Sequence, residues 1–378
     1  MKTNALKQVE KLGQSIWLDY IRRDLLIDGG LRRLIEEDGL RGMTSNPSIF
    51  EKAIVEGHDY DAEIRSMALE GKDAKTMYEA ISQRDVQMAA DEFRPVYKRL
   101  DDKDGYVSLE VNPHLAHDTN ATIEEARRLW AAVDRPNILI KVPGTAEGLP
   151  AIKQLVSEGT NINVTLLFGL PRYRQVAQAY IDGIEARLGR GKDVSHVASV
   201  ASFFLSRIDT LVDPLLEKVI AQGGANAGLA RQALGQVAIA SAKMAYQIYL
   251  EIFNGTQFTK LKEKGARPQR VLWASTGTKN PDYSDVKYIE ALIGPETINT
   301  VPVETLDAYR DHGTPKALLE HDIGNAAGMM KQLNDIGINI DAITQQLEDE
   351  GVDKFNKPFD KLLETLAQRS SQHLTGKP

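Results

Sequence analysis

Short apolar runs rich in β-branched residues alternate along this chain with longer stretches in which apolar positions recur every three or four residues. That alternation is the pattern of βα units, in which each strand is buried on both faces and each helix turns one face to the sheet. Eight such runs occur, at residues 15–19, 40–44, 106–110, 138–141, 162–166, 197–200, 271–275 and 297–301. Eight parallel strands separated by helices predict an α/β fold of the TIM (β/α)8-barrel type.

The helices between the runs carry readable ends. After the fourth run, Leu149-Pro150 opens a helix whose apolar positions Leu149, Ile152, Leu155 and Val156 share one face before Gly159 closes it. After the third, Thr122-Ile-Glu-Glu125 has capping-box spacing ahead of a helix over 126–133, and a helix over 31–37 stops at Asp38-Gly39. Two intervals, about 47–99 and 209–267, are too long for one helix each and read as helical insertions on the outside of the barrel. Beyond Val301 the pattern predicts helices over 305–311, 317–324 and about 340–368, with 370–378 frayed. No composition shift or Pro/Ser-rich linker interrupts the chain. The span 1–378 therefore reads as a single barrel domain with helical elaborations at about 47–99, 209–267 and 302–370.

Composition removes several function classes. With no cysteine in 378 residues, disulfides, thiolate nucleophiles and cysteine-ligated zinc are excluded. No apolar run approaches the roughly 20 residues of a membrane span, and residues 1–10 lack an apolar signal core. The expectation is a cytoplasmic enzyme with no membrane partner. A net charge of −7 offers no general attraction to nucleic acid, although one basic pocket suffices for a single phosphate. Monomer and homodimer both stay open.

Lys141 stands out within Asn137-Ile-Leu-Ile-Lys141-Val-Pro-Gly-Thr145, where an amine closes an apolar strand. An unpaired ammonium in a low-dielectric site is costly, so it must find a carboxylate or lose its proton. In a barrel of this class chemistry sits where the C-terminal strand ends meet. The polar residues at those ends are Asp19, Thr44 with Asn46, Glu110 with Asn112, Lys141, Asn163 with Thr165, Ser199 with Ser202, and Ser275 through Lys279. Acids, amides and hydroxyls around one lysine are what imine chemistry requires: an amine to attack a ketone, groups to move protons, and partners for substrate hydroxyls. A buried ion pair of Lys141 with Glu110 or Asp19 fits the same residues, and chemistry alone leaves both readings open. Two cations follow late strands, Arg207 after the sixth and Lys279 in a small-residue loop after the seventh, where barrels of this class often bind phosphate.

Thr44-Ser-Asn46-Pro47-Ser-Ile-Phe50 resembles the signature of the transaldolase family. Glu110-Val-Asn112, Ile140-Lys141-Val-Pro-Gly-Thr145, Asn163-Val-Thr165-Leu-Leu-Phe168, Ala201-Ser202-Phe-Phe204-Leu-Ser-Arg207-Ile-Asp209 and Trp273-Ala-Ser275-Thr-Gly-Thr-Lys279-Asn280 resemble its later blocks, in order. The resemblance spans about 18–301. It implies Lys141 as the Schiff-base lysine, Asp19 as the acid/base at carbon–carbon cleavage, and Glu110 with Thr165 as the pair that activates water. It further implies that Asn46 and Asn163 hold donor hydroxyls, that Thr44, Ser202, Phe204 and Ser275 belong to the substrate pocket, and that Arg207 binds phosphate. The second phosphate cation is an arginine in many members; here the nearest match is Lys279, after a loop one residue longer. The implied reaction transfers a dihydroxyacetone unit from sedoheptulose 7-phosphate to glyceraldehyde 3-phosphate, giving erythrose 4-phosphate and fructose 6-phosphate. It is a step of the pentose phosphate pathway that needs no metal and no other cofactor, because the imine supplies the electron sink.

Two rivals remain: a fructose 6-phosphate aldolase that hydrolyses the three-carbon intermediate, and a silent sugar-phosphate-binding barrel. Other motifs carry less. His114, His117 and Asp118 read as a surface loop rather than a metal cluster, and Gly144-Thr-Ala-Glu-Gly148 lacks the spacing and Lys-Ser/Thr of a phosphate-binding P-loop. Tyr173, Val176, Tyr180, Ile184 and Leu188 fall at helical spacing and read as core.

Overall fold

The computed structural model describes residues 4–375, and side chains up to residue 372. The strands β1 Gln14–Asp19, β2 Gly42–Thr44, β3 Tyr106–Glu110, β4 Ile138–Pro143, β5 Ile162–Leu167, β6 Ser199–Phe204, β7 Arg270–Ala274 and β8 Thr297–Val301 close into a barrel in sequence order. Every pairing is parallel, including β1 with β8. The strands are buried almost throughout, on the barrel side and on the helix side, which is why they read as continuous apolar runs.

The expected insertions are helical. Pro47–Glu56, Asp61–Leu69 and Ala74–Arg99 follow β2, and Ser206–Gln222, Ala227–Ala233, Val237–Phe253 and Thr256–Lys262 follow β6. The Gly148–Glu158 helix ends at Gly159 as expected, with the left-handed φ of 96° that favours glycine. The 31–37 helix is realised as Gly30–Arg33 followed by a wider π-type turn, Leu34–Asp38, that ends at left-handed Gly39.

Four expectations need correction. The sixth strand is Ser199–Phe204 rather than 197–200: Ser202 and Phe204 face inward, and the polar look of Ser199 and Ser202 masked a strand. The helix after β3 begins at Thr119, because Asp118 caps it by accepting from the Ala121 N–H, while Thr122 donates to the Leu115 carbonyl. Residues 317–324 are mostly irregular. That segment holds on through the Leu318 and Leu319 N–H groups, which both donate to the Ile293 carbonyl, and the helix starts only at Ile323 (Ile323–Asp335). The last helix, Ile340–Thr375, passes through the stretch expected to fray, and residues 376–378 lie outside the described residues.

That last helix positions the site. It runs across the mouth of the barrel, held at one side by an Arg172–Glu348 ion pair of 3.0 Å and at the other by Arg369, which donates to the Gly57 and Val55 carbonyls and pairs with Asp61. Between these anchors Gly351 passes so close to Leu166 that a Cβ there would stand 3.1 Å from the leucine's Cδ2. The opposite end of the barrel is closed by Asp104, which accepts from the Trp17 indole at 2.6 Å, from Ser15 and from Arg270. No helix among the described residues is long and apolar enough to cross a membrane.

Candidate active site

The strand register builds the centre of the site. Glu110 of β3, Lys141 of β4 and Asn163 of β5 are consecutive register partners, and Thr165 lies level with Pro143, two residues further on. Residues on one level of parallel strands point the same way, so an acid, an amine and an amide meet inside the barrel. Lys141 Nζ donates to Glu110 Oε2 and to the Ser45 carbonyl, both at 3.2 Å. Lys141 is 4% exposed and Glu110 5%. Burial pushes the Glu110 carboxyl up to about 7, against the pull of the neighbouring lysine charge. Its second oxygen, Oε1, and the Thr165 hydroxyl are both buried and find no hydrogen-bond partner among the described residues.

Asp19 and Thr44 are also register partners. The Thr44 hydroxyl donates to Asp19 Oδ1 at 2.6 Å, which leaves Thr300 to donate to Thr44 at 2.8 Å because a hydroxyl has one proton. Burial raises the Asp19 carboxyl, opposed chiefly by Lys141, then by the Thr44 hydrogen bond and by Lys279. Asn46 caps the Pro47–Glu56 helix by accepting from the Ile49 N–H at 3.0 Å, which spends its oxygen and leaves its amide N–H groups for the cavity. Ser202 donates to Asn163 Oδ1 at 2.6 Å, and Asn163 donates to Ser108 at 3.0 Å, so the two are locked to each other.

The cation end is assembled across two elements. Arg207 lies in the first turn of the Ser206–Gln222 helix, directly after β6. Its guanidinium faces the Phe204 and Phe355 rings at 5.8 and 6.0 Å. Its Nη1 is buried without a partner, and burial lowers its pKa, partly offset by Glu350. Such a group asks for an anion. Ser275 sits at a left-handed φ of 54° just past β7 and meets Ser206 twice, through a 2.9 Å hydroxyl contact and through its carbonyl at 3.1 Å. The loop bearing Lys279 is thereby tied to the start of the helix bearing Arg207. Asp209, two residues on, accepts from Lys287 and Tyr288 and fixes the far side of the same loop.

These groups line one cavity of about 450 Å³. Asp19, Thr44, Asn46, Lys141, Ser202, Phe204, Arg207, Ser275 and Lys279 reach its surface; Glu110 and Asn163 stand behind the wall, bonded to Lys141 and Ser202, and Thr165 is not part of the lining. Sequence reasoning missed Thr300, the Ser45 carbonyl and Phe355. Ser45 lies inside a quoted block, but Phe355 belongs to a helix that shows only amphipathic periodicity and so gave no chemical signal. His114 and His117 pair instead with Asp360 and Glu147, at 2.6 and 3.2 Å.

The fold and the cavity define a (β/α)8-barrel whose mouth holds a buried lysine–carboxylate pair at one end and an unpaired guanidinium at the other. Residues 16–366 match the family described as Transaldolase/Fructose-6-phosphate aldolase. The chain is 47% identical to a protein of Trichodesmium erythraeum named transaldolase, over 98% of both chains. It is also 47% identical to one of Thiobacillus denitrificans (95% of this chain, 99% of that one) and 44% identical to one of Thermobifida fusca (98% and 99%), both bearing the same name. The chain therefore belongs to the transaldolase/fructose-6-phosphate aldolase family, and it is an enzyme, a transferase of the transaldolase type.

Proposed function

We propose that the chain moves a dihydroxyacetone unit between sugar phosphates through an imine on Lys141, with sedoheptulose 7-phosphate or fructose 6-phosphate as donor and glyceraldehyde 3-phosphate or erythrose 4-phosphate as acceptor. The observation that carries this reading is the Lys141–Glu110 contact of 3.2 Å, in which the acid titrates near 7. A carboxylate of that basicity takes the lysine proton, and the free amine adds to the donor's C2 carbonyl. Loss of water, assisted by the proton on Glu110 and by Thr165, leaves a cationic imine.

Asp19 then removes the C4 hydroxyl proton. The C3–C4 bond breaks, its electron pair flows into the imine, and an aldose phosphate departs. The three-carbon enamine stays on Lys141, its hydroxyls held by Asn46 and Ser202 beside Thr44, with Asn163 fixing Ser202 from behind the wall. Attack of its C3 on the acceptor aldehyde returns the Asp19 proton to the new hydroxyl, and water releases the product. Arg207 and Lys279 hold the phosphate, with the backbone N–H groups at the start of the Ser206–Gln222 helix behind them. Phe204 and Ser275 shape the wall between the imine and the phosphate.

The test is acceptor dependence. With fructose 6-phosphate and erythrose 4-phosphate together, sedoheptulose 7-phosphate and glyceraldehyde 3-phosphate accumulate, while fructose 6-phosphate alone gives little free dihydroxyacetone. Free dihydroxyacetone formed at the same rate with and without acceptor would place the chain with the aldolases.

A further inference from the structure

Among the described residues, Phe355 is the one large side chain that the mouth-crossing helix Ile340–Thr375 inserts into the cavity, and it faces both ends of the site at once. Its ring lies 5.8 Å from Lys141 Nζ and 6.0 Å from the Arg207 guanidinium carbon, and it is 4% exposed. The anchors at Glu348 and Arg369 and the close pass of Gly351 over Leu166 fix the helix on either side of it. The ring therefore borders the stretch of cavity between Lys141 and Arg207 along which the acceptor aldehyde approaches in the proposed mechanism.

We propose that Phe355 decides the fate of the three-carbon intermediate, favouring transfer to an aldehyde over hydrolysis. The proposal rests on the Schiff-base reading given above. Transfer and hydrolysis both end with water adding at C2, so what sets hydrolysis apart is the proton delivered to C3. A proton must reach C3 of the enamine to regenerate the imine, and water must then add at C2, after which the C2–Nζ bond breaks, dihydroxyacetone leaves and Lys141 recovers its amine. An aromatic ring offers neither proton nor nucleophile, and it displaces water from the acceptor end while that end stands empty.

The experiment compares full-length wild type, Phe355→Ala and Phe355→Val, with fructose 6-phosphate alone and with erythrose 4-phosphate added. In each sample the rate of free dihydroxyacetone release is divided by the rate of transfer, and borohydride labelling of Lys141 is followed in parallel. The expected result is that Phe355→Ala raises the ratio of hydrolysis to transfer severalfold, because the opened site admits water to the intermediate. Phe355→Val, which keeps part of the apolar bulk, gives a smaller rise, and Lys141 labels in all three proteins. Should Phe355→Ala not fold, the Phe355→Val ratio alone carries the test. A ratio unchanged from wild type, with Lys141 labelled, overturns the role of Phe355 and leaves the Schiff-base reading intact; absence of label in the wild type overturns the reading beneath it.

Discussion

At the scale of single residues, the account turns on Glu110. Its carboxyl titrates near 7, far above the ordinary 4.5, because the barrel interior strips it of water faster than Lys141 compensates. Two consequences follow with definite signs. The form that accepts the lysine proton is the carboxylate, so kcat for transfer falls as pH drops through about 7; in Glu110→Gln that limb disappears and kcat is lower by about a hundredfold, the usual weight of one acid/base group. A pH–rate profile of the two proteins checks this. Stability runs the other way. Between about 4.5 and 7 the folded chain holds a proton on Glu110 that the unfolded chain has released, so this group's contribution to stability falls as pH rises through that window. Glu110→Gln lacks this slope, which denaturant melts at pH 5 and pH 7.5 measure.

At the scale of elements, the Ile340–Thr375 helix matters because its position is set far from the cavity. The Arg172–Glu348 pair is bidentate, with Glu348 Oε2 at 3.0 Å and Oε1 at 3.2 Å, and both side chains are largely buried. Removing one partner of such a pair leaves the other short of a counter-charge. Glu348→Ala is expected to cost about 2 kcal/mol of stability, and to speed amide hydrogen exchange along 340–356 while the barrel strands stay protected. Exchange measured by mass spectrometry reads both regions; uniform loss of protection would show that the pair supports the whole molecule rather than this helix. The same helix illustrates why some elements were legible and others not. Its amphipathic spacing announced a helix over 340–368, yet nothing in that spacing tells which turn will face a cavity formed by strands from distant parts of the chain. The segment 317–324 failed for a different reason. Its backbone is held by the Ile293 carbonyl from another part of the chain, a partner that helical periodicity does not register.

At the scale of the whole molecule, the order of the strands made the fold readable. Buried parallel strands must be apolar on both faces, so eight of them separated by helices leave few arrangements other than a closed barrel. Among the polar residues that break this rule, Asp19, Thr44 and Glu110 close their strands at the C-terminal end, while Lys141, Asn163 and Ser202 lie further inside β4, β5 and β6, and the register and hydrogen bonds bring them together. The site was legible because each of its members is an exception to its own strand. Glu110, Asn163 and Thr165 stood out in this way although they are not part of the cavity lining, and Glu110 and Asn163 hold Lys141 and Ser202 in place. What the sequence left open was the state of Lys141, ion pair or nucleophile. The structure gives the ion pair, with burial raising its acid to about 7, and in the proposed mechanism the same pair is what frees the amine.

The most direct measurement of the central claim is reductive trapping. Wild-type protein incubated with fructose 6-phosphate and sodium borohydride, then digested and read by mass spectrometry, is expected to carry the mass of a reduced three-carbon or six-carbon adduct on the peptide containing Lys141. Lys141→Ala should carry none and should have no transfer activity. An adduct on a different lysine, or transfer activity surviving in Lys141→Ala, would contradict the account.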